Sequence, residues 1–316
     1  MPAQQTVRIG TRGSPLALYQ ARLVAAHLEN ASDGALRSEI VTFKTTGDQL
    51  TTERLINSGG KGLFTREIDR AVDEAEVDIG VHSLKDVPSV LPDGQDILAY
   101  PKRADPRDGL ITKSDITRLQ DLPEGATIGT ASLRREAQAL AVRPDLRVIP
   151  FRGSVQTRLQ KLEDGLADAT FLAMAGLERL ELAHLATPIP MQDMLPAAAQ
   201  GIIAIAGRPG TLSETLSAAL ASLDHAQTRA QVAAERAFLA ELDGSCRTAM
   251  AAHLSLRDGG WHLRGEVLQP DGGQKWAAEA TALLSASQED LALMGQSVGQ
   301  SIRQDAGGSL PIFEDA

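Results

Sequence analysis

With one cysteine in 316 residues, the chain cannot form an intramolecular disulfide, a Cys-x-x-Cys redox pair, or a zinc or iron–sulfur site built from several thiolates. Aromatic residues are nearly as scarce: two Trp, two Tyr and six Phe leave few stacking platforms for single-stranded nucleic acid or for sugars. Basic residues are in deficit, 31 against 41 acidic ones, and the formal net charge of −10 argues against bulk attraction to nucleic acid or to an anionic membrane. The longest apolar region, Leu195 to Gly207, is interrupted by Gln200 and falls short of the ~20 residues a spanning helix needs. Residues 1–10 show no basic flank followed by an apolar stretch, so the expected compartment is the cytoplasm.

Familiar catalytic signatures are missing as well. His27, His82, His184, His225, His253 and His262 show neither His-x-x-x-His nor His-Glu-x-x-His spacing, and a zinc hydrolase is not expected. There is no Gly-x-Ser-x-Gly elbow and no Gly-x-Gly-x-x-Gly fingerprint. Gly59, Gly60, Lys61 and Gly62 fail as a P-loop, because Lys61 is followed by glycine instead of Ser or Thr and no clear strand precedes them. Such a loop is either a flexible lead into a helix at Phe64 or a means of closing Lys61 over a cleft.

What is present is alternation. Short β-rich runs at 6–10, 39–44, 77–81, 127–129, 146–150 and 169–173 are separated by amphipathic helical stretches, which predicts mostly parallel α/β sheets. Ser14 and Pro15 offer an N-cap and a first-turn proline, and Leu16, Tyr19, Leu23 and Ala26 mark one face of the helix that follows. Further helices are read from Phe64, Ile68, Ala71, Val72 and Ala75, and from Val155, Leu159 and Leu162 to a stop at Gly165. After about Asp224 an Ala-rich helix over 227–242 leads to a strand marked by Trp261, Leu263, Gly265 and Val267, then a turn at 270–273, the pattern of a smaller α+β domain. Residues 101–106 and 187–196 read as connectors. The expected division is a discontinuous α/β lobe over 1–101 and 201–221, a second α/β lobe over 106–195, and the α+β domain over 224–316.

Four predicted strands run into segments rich in basic or hydroxyl side chains: 11–14, 82–86, 130–135 and 151–154. In open α/β sheets ligands bind beyond the carboxyl ends of the strands, and the helices opening there add N–H groups and the positive end of their dipoles. Arg12, Lys85, Arg134, Arg135, Arg152 and Arg158 are therefore candidates for an anion-binding cleft, against the plainer reading of solvated charges beside N-caps. Asp86, set among these cations, would have its ionised form favoured, and it could stabilise a developing cation or accept a proton; the plainer reading is a turn-forming Asp before Pro88. Cys246, in a predicted loop beside Arg247, is either an inert small side chain or a reactive thiolate.

Nine ordered segments carry a resemblance across nearly the whole chain: GTRGSPLALYQA (10–21), GGKGLFTREID (59–69), VHSLKDVP (81–88), DPRDGL (105–110), GTASLRREAQ (129–138), RGSVQTRL (152–159), AGLERL (175–180), AAAQGIIAI (197–205) and AERAFLAELDGSC (234–246). They resemble the porphobilinogen deaminase (hydroxymethylbilane synthase) family. The resemblance implies two lobes like type II periplasmic binding proteins plus a third domain presenting the cysteine. It implies that Cys246 carries a covalent dipyrromethane cofactor through a thioether. Asp86 would then hold pyrrole nitrogens and stabilise the azafulvenium-type cation left when ammonia departs from porphobilinogen. Four additions would give a hexapyrrole, from which hydrolysis releases hydroxymethylbilane.

By the same resemblance Ser83, Lys85, Thr130, Ser132, Arg134, Arg135, Arg152, Ser154 and Gln200 contact the cofactor, while Arg12, Ser14, Lys61, Arg152, Arg158 and Arg179 bind substrate. Porphobilinogen carries an acetate and a propionate, which suits paired Arg–carboxylate contacts. No metal, nucleic acid or membrane partner is implied, and a monomer is. The chain departs from the family pattern at Asn57, Ala131, Ser154 and Ser245. A capture module of the two-lobed kind, binding a small anion without chemistry, would share the cationic cleft but would not require a modified Cys246.

Overall fold

The computed structural model describes residues 4–49, 62–242, 248–308 and 310–311, so Asn57, Lys61, Ser245 and Cys246 lie outside the described residues. The chain divides into two units: residues 1–50, 60–104 and 201–229, and residues 51–59, 105–200 and 230–316.

In the first unit, alternation along β1 (Gln5–Arg12) buries Val7 and Ile9 completely. The strand gives way to α1 (Pro15–Ala31) at Ser14, whose backbone is extended and whose Oγ accepts the Ala17 N–H at 3.3 Å, with Pro15 supplying a fixed φ in the first turn. The face bearing Ala17, Ala21, Val24 and Leu28 turns inward, and the chain returns as β2 (Leu36–Phe43), parallel to β1. After α2 (Thr46–Gln49) and α3 (Arg66–Asp73) come β3 (Ile79–Ser83) and β4 (Asp96–Ala99). The fifth strand of the sheet, β10 (Ile203–Gly207), arrives about a hundred residues later and runs antiparallel between β3 and β4, so the order is β2-β1-β3-β10-β4. Helix α7 (Glu214–Leu223) adds Leu216, Ala219 and Leu220 to a core shared with Val24, Leu28, Ile79, Val81 and Ile205. Each such side chain, fully buried, contributes roughly 1.5–3 kcal/mol if large and aliphatic.

The second unit repeats the pattern. It holds β5 (Asp108–Thr112), β6 (Thr127–Gly129), α4 (Leu133–Val142), β7 (Arg147–Ile149), α5 (Val155–Glu163), β8 (Ala169–Ala173), α6 (Met174–Arg179) and β9 (Thr187–Pro188). The order is β7-β6-β8-β5-β9, with β6 parallel to β7 and β8 and with β5 antiparallel to both neighbours. Each sheet therefore places its second strand outside its first, then its third, then one antiparallel strand, then its fourth. In the first unit that antiparallel strand is the one made after the chain returns; in the second it is the one made on arrival. This reciprocal exchange is the type II lobe pattern that the family resemblance implies. Thr187 and Pro188, read as connector, instead form the edge strand of the second sheet, where a proline costs no ladder bond.

The same unit contains the smaller α+β part. Its antiparallel sheet runs β11 (Ala249–Arg257), β12 (Gly260–Leu268) and β13 (Lys275–Leu283), with the predicted turn at 270–273 joining the last two. Helix α8 (Ala226–Glu241), which begins in the first unit and continues in the second, and α9 (Gln288–Asp305) share a core with this sheet that centres on Phe238, Leu263, Val267 and Val298. Among the described residues no helix is long and apolar enough to cross a membrane.

The approach of α9 to α8 depends on glycine. A Cβ at Gly295 would stand 2.2 Å from the Ala234 carbonyl oxygen. Gly295→Ala is expected to force the helices apart at a cost of about 1–3 kcal/mol, read as a lower urea midpoint. An unchanged midpoint would show that the close approach carries no stability.

Candidate functional site

The carboxyl ends of β1 and β3 lie side by side, because the strands are parallel and Thr11 Oγ1 donates to the Val81 carbonyl at 3.2 Å. Beyond them the chain releases Arg12 and Ser14 on one side, and Ser83, Lys85 and Asp86 on the other. The second group is fixed by a 3-10 turn over Leu84–Asp86, whose Leu84 N–H donates to the Ile202 carbonyl at 2.9 Å. These side chains, with Phe64, Gln20 and His82, line a cavity of about 100 Å³.

Arg12 is held from three directions. Its Nε donates to Asp48 Oδ2 at 3.2 Å and its Nη2 to Asp48 Oδ1, a two-point carboxylate contact. Its guanidinium carbon lies 4.3 Å from the centre of the Phe64 ring. Its Nη1 stands 3.9 Å from Asp86 Oδ2, an ion pair without a hydrogen bond. Asp48 is itself fixed by Thr45, whose Oγ1 donates to Oδ2 at 2.7 Å. Burial raises the Asp48 pKa, but the hydrogen bonds from Arg12 and Thr45 outweigh it and leave the carboxyl below its ordinary value. Gly47 explains how α2 reaches this place: a Cβ there would lie 2.3 Å from the Phe64 ring.

The hydroxyl of Ser83 accepts from Gln20 Nε2 at 3.0 Å, which aims it across the same cavity. Lys85 is exposed and Asp86 partly so. His82 is buried with its Nε2 at 3.8 Å from Asp69 Oδ1. Burial, reinforced by the charge of Arg12, pushes His82 down to about 4. Burial, with Asp73 and Glu67 adding to it, pushes Asp69 up to about 6. His82 is thus neutral at physiological pH, and the cavity's positive charge comes from Arg12 and Lys85.

In the second unit the corresponding edge is built around a carboxylate. Asp108, fully buried at the start of β5, lies 2.8 Å from Arg134 Nη1 and 2.6 Å from Arg135 Nη2. Gln200 Nε2 also donates to Asp108 Oδ1 at 3.0 Å, and to the Pro106 carbonyl at 2.8 Å. Arg135 reaches on to the Phe171 carbonyl at 2.8 Å, and Arg134 to the Leu195 carbonyl at 2.9 Å. Burial alone would raise the Asp108 pKa; the two guanidinium groups and Gln200 reverse this and hold it far below the carboxylate range. Gln200 is placed in turn by Glu235, which is fully buried and accepts the N–H of neighbouring Ala199 at 2.6 Å and that of Leu254 at 2.9 Å.

Two helices open on this edge. Ser132 caps α4 by accepting the Arg135 N–H at 3.5 Å, and Ser154 caps α5 by accepting the Thr157 N–H at 3.2 Å. Thr130 Oγ1 accepts the Ser132 N–H at 3.1 Å and so shapes the turn after β6. Arg152 is buried after β7, its carbonyl accepting from Lys161 Nζ at 3.2 Å; Arg158 Nε donates to the Gly153 carbonyl at 3.1 Å, and Arg179 closes α6 after β8. Two pairs of the four predicted segments therefore meet, one pair in each unit. Lys61 and Cys246 lie outside the described residues.

Sequence reading did not find Asp48, Phe64 as a cover for Arg12, Gln20, Asp108 or Glu235. The motif 105–110 contained Asp108, but nothing local marks it as the partner of arginines 26 and 27 positions away. Arg134 and Arg135, candidates for the anion-binding cleft, are both buried and both pair with Asp108.

Residues 7–213 match the family model described as porphobilinogen deaminase, dipyromethane cofactor binding domain, and residues 229–304 match the porphobilinogen deaminase C-terminal domain. The chain is 46% identical over 309 residues to a chloroplastic porphobilinogen deaminase of Pisum sativum, covering 95% of this chain and 82% of the relative. It is 46% identical over 306 residues to the porphobilinogen deaminase of Paracoccus denitrificans, covering 95% and 94%. Among solved structures, a TRAP periplasmic solute binding protein from Desulfovibrio salexigens is similar at 13% identity and a TM-score of 0.46, covering 72% of this chain and 74% of that one. The order of strands, not this superposition, defines the lobes.

Asp108 offers a direct test of the second unit. Asp108→Asn leaves two buried guanidinium groups without their counter-charge, an expected loss of about 3–5 kcal/mol in urea unfolding. The pH dependence has a definite sign. A carboxyl depressed on folding gives stability that is complete above its unfolded value of about 4 and is lost as pH falls towards its folded value. The native protein should therefore lose stability between pH 5 and 2 more steeply than the variant; parallel curves would show that Asp108 is not held as described.

Proposed function

The chain belongs to the porphobilinogen deaminase family, and on that premise we propose that it joins four porphobilinogen molecules head to tail with loss of ammonia and releases hydroxymethylbilane by hydrolysis, a step of tetrapyrrole biosynthesis. The observation that carries the proposal is Asp86, a carboxylate at the end of β3 that shares one cavity with Arg12 and Lys85.

The donor set fits a dipyrromethane group. Acetate and propionate side chains require cations and hydroxyl donors, which Arg12, Lys85, Ser14 and Ser83 supply in the first unit. Arg152, Arg158, Thr130, Ser132, Ser154 and the amino ends of α4 and α5 supply them in the second. Pyrrole N–H groups require an acceptor, which Asp86 supplies. We assign Cys246 as the thioether attachment, Arg134, Arg135 and Gln200 to the cofactor contact around Asp108, and Lys61 and Arg179 to substrate. When bound, the group supplies a free pyrrole α-carbon as the point of chain growth.

The work of the protein's own residues follows from charge. Arg12 and Lys85 pair with substrate carboxylates and fix the ring, so that its pyrrole N–H points at the Asp86 carboxylate. As ammonia leaves the aminomethyl arm, positive charge spreads over the ring and its exocyclic carbon. The anionic Asp86 faces that charge and lowers the energy of its formation, an electrostatic role that costs no rearrangement at the moment of reaction. The same carboxylate would accept the proton lost when the ring is substituted. The proposal extends to a monomer with three domains, 1–101 with 201–221, 106–195 and 224–316, acting in the cytoplasm.

An intact-mass measurement tests the covalent group: the purified chain should exceed its sequence mass by two linked pyrrole units, and Cys246→Ala should not. An unmodified chain that leaves porphobilinogen untouched would sink the assignment. Asp86→Ala should keep its circular dichroism spectrum and lose at least ~10²-fold in turnover; turnover near the native rate would mean that Asp86 does not stabilise the cation.

A further inference from the structure

We propose that Asp48 is a positioning residue that keeps the Arg12 guanidinium off Asp86, leaving the Asp86 carboxylate free to face the cation formed from substrate; the inference rests on the electrostatic role of Asp86 proposed for the reaction. A guanidinium presents five donors around a rigid plane, and its position is decided by the carboxylate that takes its two-point edge. In this protein that edge, Nε with Nη2, is taken by Asp48. One face is covered by the Phe64 ring at 4.3 Å. What remains is Nη1, which stops 3.9 Å from Asp86 Oδ2. Charge-assisted N–H···O contacts close to about 2.7–2.9 Å when nothing opposes them, so the gap is held open by the other contacts of Arg12.

The hold on Asp48 is built from its neighbours. Thr45 Oγ1 donates to Asp48 Oδ2 at 2.7 Å, the Gly47 N–H donates to the Leu63 carbonyl at 2.8 Å, and the missing side chain of Gly47 lets α2 lie on the Phe64 ring. Thr46 ties the same turn to α3, its Oγ1 donating to Glu67 Oε1 at 2.7 Å. Among the described residues, Asp48 and Asp86 are the carboxylates that form ion pairs with Arg12. Removing the first leaves the second as the place for Arg12 to go. A direct Arg12–Asp86 pair would neutralise the carboxylate that must meet the developing positive charge, while Arg12 would remain beside the cavity for substrate. The consequence falls on turnover more than on binding.

The experiment uses the cofactor-loaded chain and compares native protein with Asp48→Ala and Asp48→Asn. In Asp48→Ala, kcat should fall about tenfold, equivalent to about 1.4 kcal/mol in the barrier, with KM for porphobilinogen within about twofold of native. Asp48→Asn, which keeps one acceptor for Arg12 without the charge, should lie between. Crystal structures of the three give a readout independent of turnover: Arg12 Nη1 to Asp86 Oδ2 should contract in Asp48→Ala from 3.9 Å to about 2.8 Å. An unchanged distance, an unchanged kcat, or a rise in KM alone would overturn the proposal. Should Asp48→Ala fail to fold, the distance and kcat of Asp48→Asn decide in the same way. A native chain that does not turn over porphobilinogen would instead overturn the functional reading itself.

Discussion

Cations gathered at the amino ends of helices repel one another and the helix dipoles behind them, and the site depends on how that repulsion is answered. In the second unit the answer is a single buried carboxylate. Asp108 contacts two guanidinium groups and Gln200 at once, which explains why its acidity is driven so far down although burial alone would drive it up. In the first unit Asp48 does the same for Arg12, closer to solvent and with a hydroxyl of Thr45 behind it. Both devices fix arginine side chains before any anion arrives. The conformational entropy of a long side chain, up to ~2 kcal/mol, is then spent in folding and not in binding.

The two carboxylates differ in what they leave available. Arg134 and Arg135 are buried, and their reach extends to the carbonyls of Leu195 and Phe171, so they brace the elements around the edge of the second sheet as much as they present charge. Arg12 is partly exposed and keeps Nη1 towards the cavity. One sheet order, repeated in the two units, thus carries arginines of two kinds: a pair locked into the scaffold and a single one poised at its surface. A capture module needs only the second kind.

The parts of this arrangement that follow the chain locally were legible in the sequence. Ser14 read as an N-cap because a hydroxyl before a proline and an apolar period suits the start of a helix, and it caps α1; that Ser132 and Ser154 cap α4 and α5 is shown by the structure. The runs 127–129 and 169–173 coincide with β6 and β8, each a short, largely buried stretch of apolar, small and threonine residues (TIG and ATFLA). Interactions between distant segments were not legible. Asp108 meets Arg135 across 27 positions and Gln200 across 92, and no spacing rule connects them. Residues 201–221 were expected in the first lobe, but not the strand β10 within them, whose neighbours β3 and β4 lie about a hundred residues earlier. Thr187 and Pro188 read as a connector because proline argues against a central strand, an argument that has no force at an edge.

A net charge of −10 argues against bulk attraction to nucleic acid or to an anionic membrane but not against a small anionic ligand, and the reason lies in distance. Charges in water are screened within about 8–10 Å at physiological salt, so acidic residues on the outer surface contribute little to the potential inside a cavity lined by Arg12 and Lys85. The carboxylates that do matter are the few in contact. Asp48 and Asp108 lower the local charge, yet they raise its usefulness, because each converts mobile cations into fixed ones. Asp86 is the remaining carboxylate in contact, and among the described residues it differs from the other two in lacking a hydrogen-bonded arginine: the Arg12 nitrogen that approaches it stops at 3.9 Å. In the reaction proposed above, a cation formed from substrate there would meet a carboxylate to which the nearest arginine nitrogen makes no hydrogen bond.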